Sequence, residues 1–564
     1  MFPSTQPTTQ PNAMSDIDLL FHSGYITTLD RAGTVTEAVA VSGNRIHALG
    51  TNEEILPLAG GGTRTVDLAG GTVLPGINDS HLHLQFFGLS RPPFSLDLSD
   101  RAVSSLAEIR DQVAATAGAT SGWIRGWGWT ESHLAELAAR GSGPTRADLD
   151  PASPDHPVLL THFSGHAAWA NSRALEHAGI TASTPDPGGG RIVRDAEGEP
   201  TGELHEAAVA LVADRMPEPA AAERREATVA AMRDLLPLGV TSVTDPIVTP
   251  PMLRDYLALH RAGELRTRVT TLLNWTWPSV TTPVEVATEA MRYTGASSGL
   301  GDDWLRIGGC KLFADGIPAL RSAWMSQPYD DGCCGSLVTE GGDDTERQAA
   351  LATLIETLHR HRFQVQVHTT GDRACEAVVD AFAAAAEADP WPEARHVLIH
   401  ANLPSERAIK LMAAHGFVAN TQALIKWQVS DALRGIVDET TWHRNMPVRS
   451  LLDAGVVVAD SSDAPITYPD WRQGVETLVL RRTRHAGEVS GADQRISREQ
   501  ALRAWTNAPA YQEGRERAKG HLAPGALADL TVLAENIHAV PDEELHAVTP
   551  VMTVVDGQVA WEGW

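Results

Sequence analysis

Short apolar segments that end in polar turns alternate with amphipathic segments through the middle of this chain. Helical periodicity at 346–361 and 372–388 separates several of the apolar segments. The segments that we interpret as strands are 72–84, 239–245, 268–275, 306–316, 363–372, 396–403, 416–422 and 456–465. Eight such units predict an α/β fold of the (β/α)8 TIM-like barrel type. The alternative, a doubly wound sheet, requires a Gly-rich phosphate loop after its first strand, and the sequence has none there.

The two ends of the chain lack this alternation and have the pattern of short strands joined by turns, which predicts one small β-sandwich built from both termini. Residues 101–225 interrupt the barrel pattern after its first strand, and an insertion there emerges at the face that carries the active site. The predicted division is a disordered tail at 1–16, a β-sandwich from 17–74 plus 510–564, a metal-binding barrel from 75–100 plus 226–509, and an insertion covering the active site at 101–225.

The charge balance bears on partners and location. Lys and Arg number 45 against 71 Asp and Glu, a formal charge of −26, so such a surface repels nucleic acid and anionic lipid. The sequence has no apolar run of the ~20 residues that span a bilayer, and its first residues lack the pattern of a signal peptide. Four cysteines without a C-x-x-C pair suit a reducing cytoplasm, and the adjacent Cys333 and Cys334 receive no role. We expect a cytoplasmic protein whose partner is a small-molecule substrate.

Polar side chains stand at or just after the apolar core of five predicted strands, where barrel enzymes carry catalytic residues. They are His81 and His83 on the first strand, Lys311 on the fourth, His368 on the fifth, His400 on the sixth and Asp463 on the eighth. With 22 histidines in the chain, any one alone is more often a surface or core residue. Asp463 also suits a turn ahead of Pro465, and Lys311 needs a partner or a lowered pKa in its apolar surroundings. The ordered set, however, predicts a site for Zn²⁺ or a similar divalent metal.

These residues and several separate motifs resemble the metal-dependent amidohydrolase superfamily. The motifs are LPGINDSHLHL, SGHAAWANSRAL, GGRIVRDAEGEPTGELHE, KLFADGIP, VHTTGDRA and GHLAPGALADLTVL. They are similar to those of amidohydrolase family 3, the YtcJ-like subgroup that includes N-substituted formamide deformylase. The likeness runs from about residue 17 to the C-terminus.

The resemblance implies one or two divalent ions, with Zn²⁺ expected, and by analogy a homodimer. It implies that His81, His83 and Asp463 hold the first ion, that His368 and His400 hold the second, and that Lys311, carboxylated by CO2, bridges them. Three positions depart from the subgroup's usual pattern: Ile399, Asn402 and Asn78. They lie beside the implied ligands, and neighbouring groups orient metal ligands.

We expect metal-assisted hydrolysis in which Asp463 accepts a proton from water and passes it to the leaving nitrogen. Candidates for substrate contact are His166, Trp127, Trp129, Asp315, Arg321 and Trp324. Trp127 and Trp129 alternate, so on a strand they would share a face, although core packing also explains such tryptophans. Arg321 equally suits a solvated face.

The leading hypothesis is a metal-dependent amidohydrolase that cleaves a non-peptide C–N bond of a small, rather apolar substrate. A second hypothesis is an esterase or deaminase on the same barrel. By the resemblance, deaminases lack a lysine ligand on strand four, so Lys311 disfavours them. A third is a catalytically silent binding protein, which the intact ligand set disfavours.

Overall fold

Eight parallel strands form a barrel in the computed structural model, which describes residues 17–119, 122–131, 133–187 and 190–564. Barrel strands 1 to 8 are Ile77–Asp79, Val240–Val248, Arg268–Leu273, Leu305–Phe313, Gln364–Thr369, Val397–His400, Val418–Thr421 and Val457–Asp460. Each strand pairs in parallel with the next one along the chain. The predicted (β/α)8 barrel is confirmed, whereas the predicted tail at 1–16 lies outside the described residues.

The barrel strands are buried almost throughout, and strand 2 has no exposed residue over its whole length. Parallel strands covered by helices have this apolar character because both faces are removed from water. The pairing register brings the ends of the strands together, with Phe313 opposite His368 and Thr369 opposite His400. The polar residues that follow the strands therefore meet at one rim.

Strands 1 and 8 are joined at this same rim. The amide of Asp463 donates to the carbonyl of His81 at 2.8 Å, and the amide of His83 donates to the carbonyl of Ala464 at 2.9 Å. Lower down, Ser80 Oγ donates to the carbonyl of Asp460 at 3.0 Å. The hydrogen bonds that close the barrel thus also hold its first and last loops together.

Helices cover the outside of the barrel. In chain order they are Leu84–Leu89, Ala221–Leu235, Pro250–Ala262, Val284–Tyr293, Asp344–Arg360, Asp372–Ala388, Glu406–His415, Ala423–Leu433, Glu439–Arg444, Val448–Asp453, Trp471–Leu480, Arg498–Ala504 and Asn507–Gln512. Local sequence fixes several of their ends. The side chain of Asp343 accepts from the amide of Glu346 at one helix start, and Gly416 ends another in the left-handed conformation at φ 69°.

Both chain ends form a β-sandwich beside the barrel, as predicted. One sheet comprises Arg45–Gly50, Ala38–Ser42, Leu19–His22 and Arg64–Asp67, and the other Gln558–Glu562, Pro550–Val555, Leu530–Leu533, Thr72–Pro75, Tyr25–Thr27 and Val35–Thr36. A short helix, Asn52–Ile55, lies between two strands of the first sheet along the chain. The guanidinium of Arg268 ties barrel to sandwich, since it donates to Asp529 at 2.6 and 2.9 Å and to Asp556 at 2.9 Å.

The insertion contains a sheet of its own, which the sequence did not indicate. Its strands, in spatial order, are Gly190–Arg194, Pro200–Glu206, Ala167–Ala170, Val158–His162 and Ile124–Trp129, and Leu96–Asp97, which precedes residue 101, pairs with the last of these at the edge of the sheet. Its helices are Leu106–Ala117, Ala135–Arg140, Arg146–Leu149, Ser172–Ala178 and Ala207–Ala213. The insertion contacts the loop after barrel strand 8, where the indole of Trp127 donates to the carbonyl of Pro465 at 3.3 Å.

Short 3₁₀ helices complete the secondary structure. They are Leu56–Leu58, Leu236–Leu238, Pro318–Leu320, Pro392–Ala394, Ala492–Gln494 and Asp542–Ala547. Across the described ranges, every helix is too short or too polar to cross a bilayer.

Candidate metal centre

The side chains of His81 and His83 converge on one carboxylate. His81 Nε2 lies 3.3 Å from Asp463 Oδ1, and His83 Nε2 lies 3.2 Å from the same oxygen. The two imidazole centres are 5.4 Å apart and nearly perpendicular. Asp463 is buried and has a positive φ of 56°, a conformation that is uncommon for residues other than glycine and that occurs at functional sites.

Asp463 is ionised at neutral pH. Burial would raise the pKa of its carboxyl group, but the hydrogen bonds from His81 and His83 outweigh burial and hold this pKa well below its usual range. The imidazole of His81 is neutral at this pH. Burial and the nearby Lys311 lower the pKa of His81 to about 3. Neutral imidazole and ionised carboxylate are the forms that bind metal.

His368 and His400 lie beside this group. Their ring centres are 4.4 Å apart, and the ring of His400 lies 5.8 Å from that of His81. Burial lowers the pKa of His400 to about 3 and that of His368 well below its usual value. His400, like Asp463, has a positive φ, here 69°.

Lys311 lies among these residues on barrel strand 4. Its side chain is buried, and its Nζ is 4.8 Å from the centre of the Phe313 ring. Burial lowers the pKa of the ammonium group to about 7, against the opposing effect of the Asp463 charge. The amine is therefore neutral in a large share of molecules at neutral pH, and a neutral amine is the form that reacts with CO2.

The geometry of these donors suits a divalent ion. Bonds of about 2.0–2.1 Å to zinc place two ligands of a tetrahedral site about 3.3 Å apart, close to the separations of His81 and His83 from Asp463. One ligand atom each of His81, His400 and Asp463 lies within 4.8 Å of the others. The Nδ1 atoms of His81 and His83 are buried without a hydrogen-bond partner among the described residues, which is rare in proteins. The residues present fit a metal ion.

The three departures from the family pattern occupy different surroundings. Asn78 donates through Nδ2 to Glu513 at 2.7 Å, and Glu513 in turn pairs with Lys519 at 2.7 Å. Ile399 is fully buried among apolar side chains. The backbone carbonyl of Asn402 accepts from the amide of Met446 at 2.7 Å.

A cavity of about 1050 Å³ lies between the insertion and the barrel. Trp127 and Phe163 line it from the insertion, and Trp427 and Ile466 line it from the barrel. It reaches the loop of Asp463, since the amide of Ile466 donates to the carbonyl of that residue at 2.9 Å. Among the described residues, none of the six predicted ligands lines this cavity.

Of the predicted substrate contacts, Trp127 lines the cavity, whereas Trp129 is fully buried in the core of the insertion. The expectation that these two tryptophans share a face is wrong. The pairing with the neighbouring strand shifts between them, and Gly128, at φ 107°, breaks the alternation. The indole of Trp129 instead donates to the carbonyl of Leu160 at 2.8 Å.

Asp315 and Trp324 hold loops together, and substrate contact by either residue stays a prediction. Both are buried, and Asp315 Oδ2 accepts from the amides of Trp324 at 2.9 Å and Gly371 at 2.8 Å. Burial raises the pKa of Asp315 to about 7, against these hydrogen bonds. The guanidinium of Arg373 covers the indole of Trp324 at 4.0 Å.

Arg321 and His166, the remaining candidates, are engaged with carboxylates. The guanidinium of Arg321 donates to both oxygens of Asp330, at 2.5 and 2.7 Å. Nδ1 of His166 lies 2.9 Å from Glu206 Oε2, and both side chains are about one third exposed. Substrate contact by His166 stays a prediction.

Gln422 was missed from the sequence. Its Oε1 lies 2.6 Å from Nδ1 of His400, which is one of the predicted ligands. The signal was present, because Gln422 follows barrel strand 7 directly, as the ligands follow other strands.

Comparison with known proteins places this architecture in a family. The model of the Amidohydrolase family matches residues 64–560. This chain belongs to the amidohydrolase family. The amidohydrolase is 30% identical to YtcJ of Bacillus subtilis over 96% of this chain and 99% of that protein. It is also 30% identical to N-substituted formamide deformylase of Arthrobacter pascens over 97% of this chain and 98% of that protein.

A solved structure shares the fold of this amidohydrolase. It is an uncharacterized metal-dependent hydrolase from Pyrococcus horikoshii, with a TM-score of 0.73 and 25% identity, covering 93% of this chain and 99% of that one. The amidohydrolase is therefore a metal-dependent enzyme that hydrolyses C–N bonds, and its buried group of His81, His400 and Asp463 can hold a metal ion.

Proposed function

We propose that the enzyme hydrolyses a non-peptide amide bond of a small, rather apolar substrate. The observation that carries the proposal is the convergence of His81 and His83 on the Asp463 carboxylate, at a buried rim that adjoins an aromatic-lined cavity. The proposed ligands are His81, His83, His368, His400, Asp463 and Lys311.

The donor set favours zinc, because neutral imidazoles with a carboxylate are ligands that Zn²⁺ prefers. When bound, the metal polarises the scissile carbonyl and lowers the pKa of water, which supplies a nucleophile at neutral pH. Lys311 would join the set as an N-carboxylate, a change that replaces a buried ammonium by an oxygen ligand. The share of molecules with a neutral amine at neutral pH supports this step.

Asp463 is the proposed proton carrier. Its carboxylate is ionised and fixed by His81 and His83, so it can accept a proton from the attacking water. The oxygen of that water forms the new bond to the carbonyl carbon while the C–N bond breaks. Asp463 then returns the proton to the leaving nitrogen, so that one amide and one water give a carboxylic acid and an amine.

The cavity supports the proposed substrate class. Trp127, Phe163 and Trp427 present aromatic surface, and Leu320 and Ile466 present aliphatic surface, which suits an apolar substituent. The likeness to N-substituted formamide deformylase supports an amide with a substituent on nitrogen.

Substitution of Asp463 tests the proposal. Asp463→Asn keeps the shape of the side chain but cannot carry the proton, and turnover of the best substrate from a panel of N-formyl, N-acyl and cyclic amides should fall about 10²–10⁴-fold. Asp453→Asn is the matched control, because Asp453 pairs with Arg449 on the surface. Near-normal turnover by a folded Asp463→Asn enzyme would refute the role. The cytoplasmic location and the homodimer stay predictions.

A further inference from the structure

Five side-chain amides fill the interior of the barrel below the predicted ligands. They are Gln364, Gln366, Gln512, Asn420 and Gln422, each at most 6% exposed, and together they form what we term the carboxamide chain. A side-chain amide accepts hydrogen bonds at its oxygen and donates them at its nitrogen. A row of such groups therefore has a direction, which is set wherever one member faces a group that can only accept or only donate.

The hydrogen-bond direction of the carboxamide chain is set at Gln364, the member farthest from the predicted ligands. Gln364 Nε2 faces two backbone carbonyls, that of Arg395 at 3.0 Å and that of Gln512 at 2.8 Å. Carbonyls only accept, so the nitrogen of Gln364 points to them and its oxygen points to Gln366. That oxygen accepts from Gln366 Nε2 at 2.7 Å.

The middle of the carboxamide chain keeps this direction. Gln366 Oε1 accepts from Gln512 Nε2 at 3.4 Å. The orientation of Gln512 is fixed independently, because the same nitrogen donates to the carbonyl of Ser80 at 3.2 Å. Gln512 Oε1 therefore accepts from Asn420 Nδ2, at 3.0 Å.

Asn420 and Gln422 continue the same hydrogen-bond direction up to His400, a predicted metal ligand. Asn420 Oδ1 accepts from Gln422 Nε2 at 2.7 Å, which leaves Gln422 Oε1 to face Nδ1 of His400 at 2.6 Å. An oxygen opposite this nitrogen requires the proton on Nδ1. The lone pair of His400 is then on Nε2.

We propose that Gln422 is a positioning residue that, held by the carboxamide chain, keeps His400 in the tautomer with its proton on Nδ1 and its Nε2 free to bind the metal. The inference rests on the proposed metal centre. It adds that a neutral amide does here what a carboxylate commonly does for metal-bound histidine. Gln422 Nε2 also donates to Ser461 Oγ at 3.0 Å, so this hydroxyl and the carboxamide chain together oppose a half-turn of the amide that would present its nitrogen to His400.

The surroundings explain why an amide suits this position. Asp460 lies close by, and it accepts from Thr421 Oγ1 at 2.9 Å and from the amide of Ala423 at 3.0 Å. An ionised carboxylate at position 422 would place a negative charge in a buried region that already holds the carboxyl groups of Asp460 and Asp79. An amide supplies the acceptor for His400 without that charge.

The affinity of the protein for Zn²⁺ tests the inference without reference to turnover. Gln422→Met keeps the length of the side chain but removes the acceptor, and the Zn²⁺ dissociation constant, measured by competition with a chelator, should rise about 10–100-fold. Gln422→Glu keeps an acceptor for Nδ1 and should stay within about fivefold of the wild-type constant. Gln494→Met is the matched control, because it removes a buried amide that caps Ser450 outside the barrel interior. Wild-type affinity in a folded Gln422→Met protein would overturn the inference.

A pair of variants at Asn420 tests the hydrogen bond between Asn420 and Gln422. These variants also test the inference if Gln422→Met does not fold. Asn420→Asp still offers oxygens to Gln422 Nε2, so Zn²⁺ binding should be kept. Asn420→Leu removes them, and the dissociation constant should rise several-fold. Equal constants in the two variants would count against the carboxamide chain.

His400→Ala separates this inference from the proposed function. Loss of Zn²⁺ from His400→Ala together with wild-type affinity in Gln422→Met would refute the role of Gln422 alone. Full Zn²⁺ binding by His400→Ala would instead remove His400 from the centre, and the inference would fail with it.

Discussion

Replacement of Lys311 by methionine is expected to stabilise the metal-free protein and to abolish hydrolysis. The Lys311 side chain is 2% exposed, so its ammonium group has lost nearly all contact with water. Methionine has a similar length and volume and carries no charge. Replacement of a buried charged group by an apolar one of similar size is often neutral or stabilising.

The magnitude follows from the pKa of the ammonium group. Burial lowers it from its ordinary value of 10.5 to about 7. At about 1.4 kcal/mol for each tenfold change in the equilibrium constant, folding with a protonated Lys311 costs on the order of 4 kcal/mol at pH 7. The variant removes this cost.

The lowered pKa of Lys311 also determines whether the stability of the wild-type protein rises or falls with pH. Between about pH 7 and 10.5 the unfolded chain binds a proton at Lys311 that the folded chain does not. The wild-type protein therefore gains stability as pH rises through this window. The advantage of Lys311→Met should be largest at or below pH 7 and should shrink towards zero near pH 10.5.

The assay is urea unfolding of chelator-treated protein in bicarbonate-free buffer, at several values of pH. Lys311→Ala is the control, because it removes the charge but leaves a cavity, and it should be about 2–4 kcal/mol less stable than Lys311→Met. A methionine variant that is less stable than wild type at pH 7 would refute the reasoning. So would a difference in stability that does not change with pH.

Two further predictions concern groups outside the metal centre. Burial beside His359 lowers the pKa of His396 to about 3, so the folded protein keeps this imidazole neutral while the unfolded chain protonates it below its ordinary value of 6.5. Stability should fall as pH drops through that window, by about 3 kcal/mol from this group at pH 4, and equal urea midpoints at pH 7 and pH 4 would contradict it. Arg268→Ala leaves the buried carboxylate of Asp529 unpaired and should cost about 3–5 kcal/mol. Removal of the exposed Arg64–Glu562 pair by Arg64→Ala should cost much less than Arg268→Ala, because water screens it, and equal losses would be inconsistent with this account.

The barrel and the order of its polar strand ends could be predicted because both follow from local pattern. Apolar segments of strand length, separated by helices, leave few arrangements, and parallel strands gather their carboxyl ends at one rim. His81 and Asp463 therefore meet although 382 positions separate them in the sequence. The carboxamide chain has the same origin in part, since Gln422 follows a strand, but its link to Gln512 depends on contacts that the sequence does not reveal.

The substrate side was less predictable because its residues depend on the insertion. Trp127 and Trp129 alternate in sequence, yet the irregular pairing at Gly128 sends one to the cavity and the other to the core. Asp315 resembles a substrate contact in sequence, but its oxygens are taken by backbone amides, among them that of Gly371 from the next barrel loop. Such partners are set by tertiary structure.

Anomalous X-ray diffraction from crystals of the Zn²⁺-loaded enzyme, recorded on both sides of the zinc absorption edge, tests the central claim most directly. The account predicts a zinc peak within about 2.0–2.2 Å of Nε2 of His400 and of the carboxylate of Asp463. It also predicts density for a carboxylate on Lys311 beside that peak. Zinc found elsewhere on the molecule, with these side chains unligated, would contradict it.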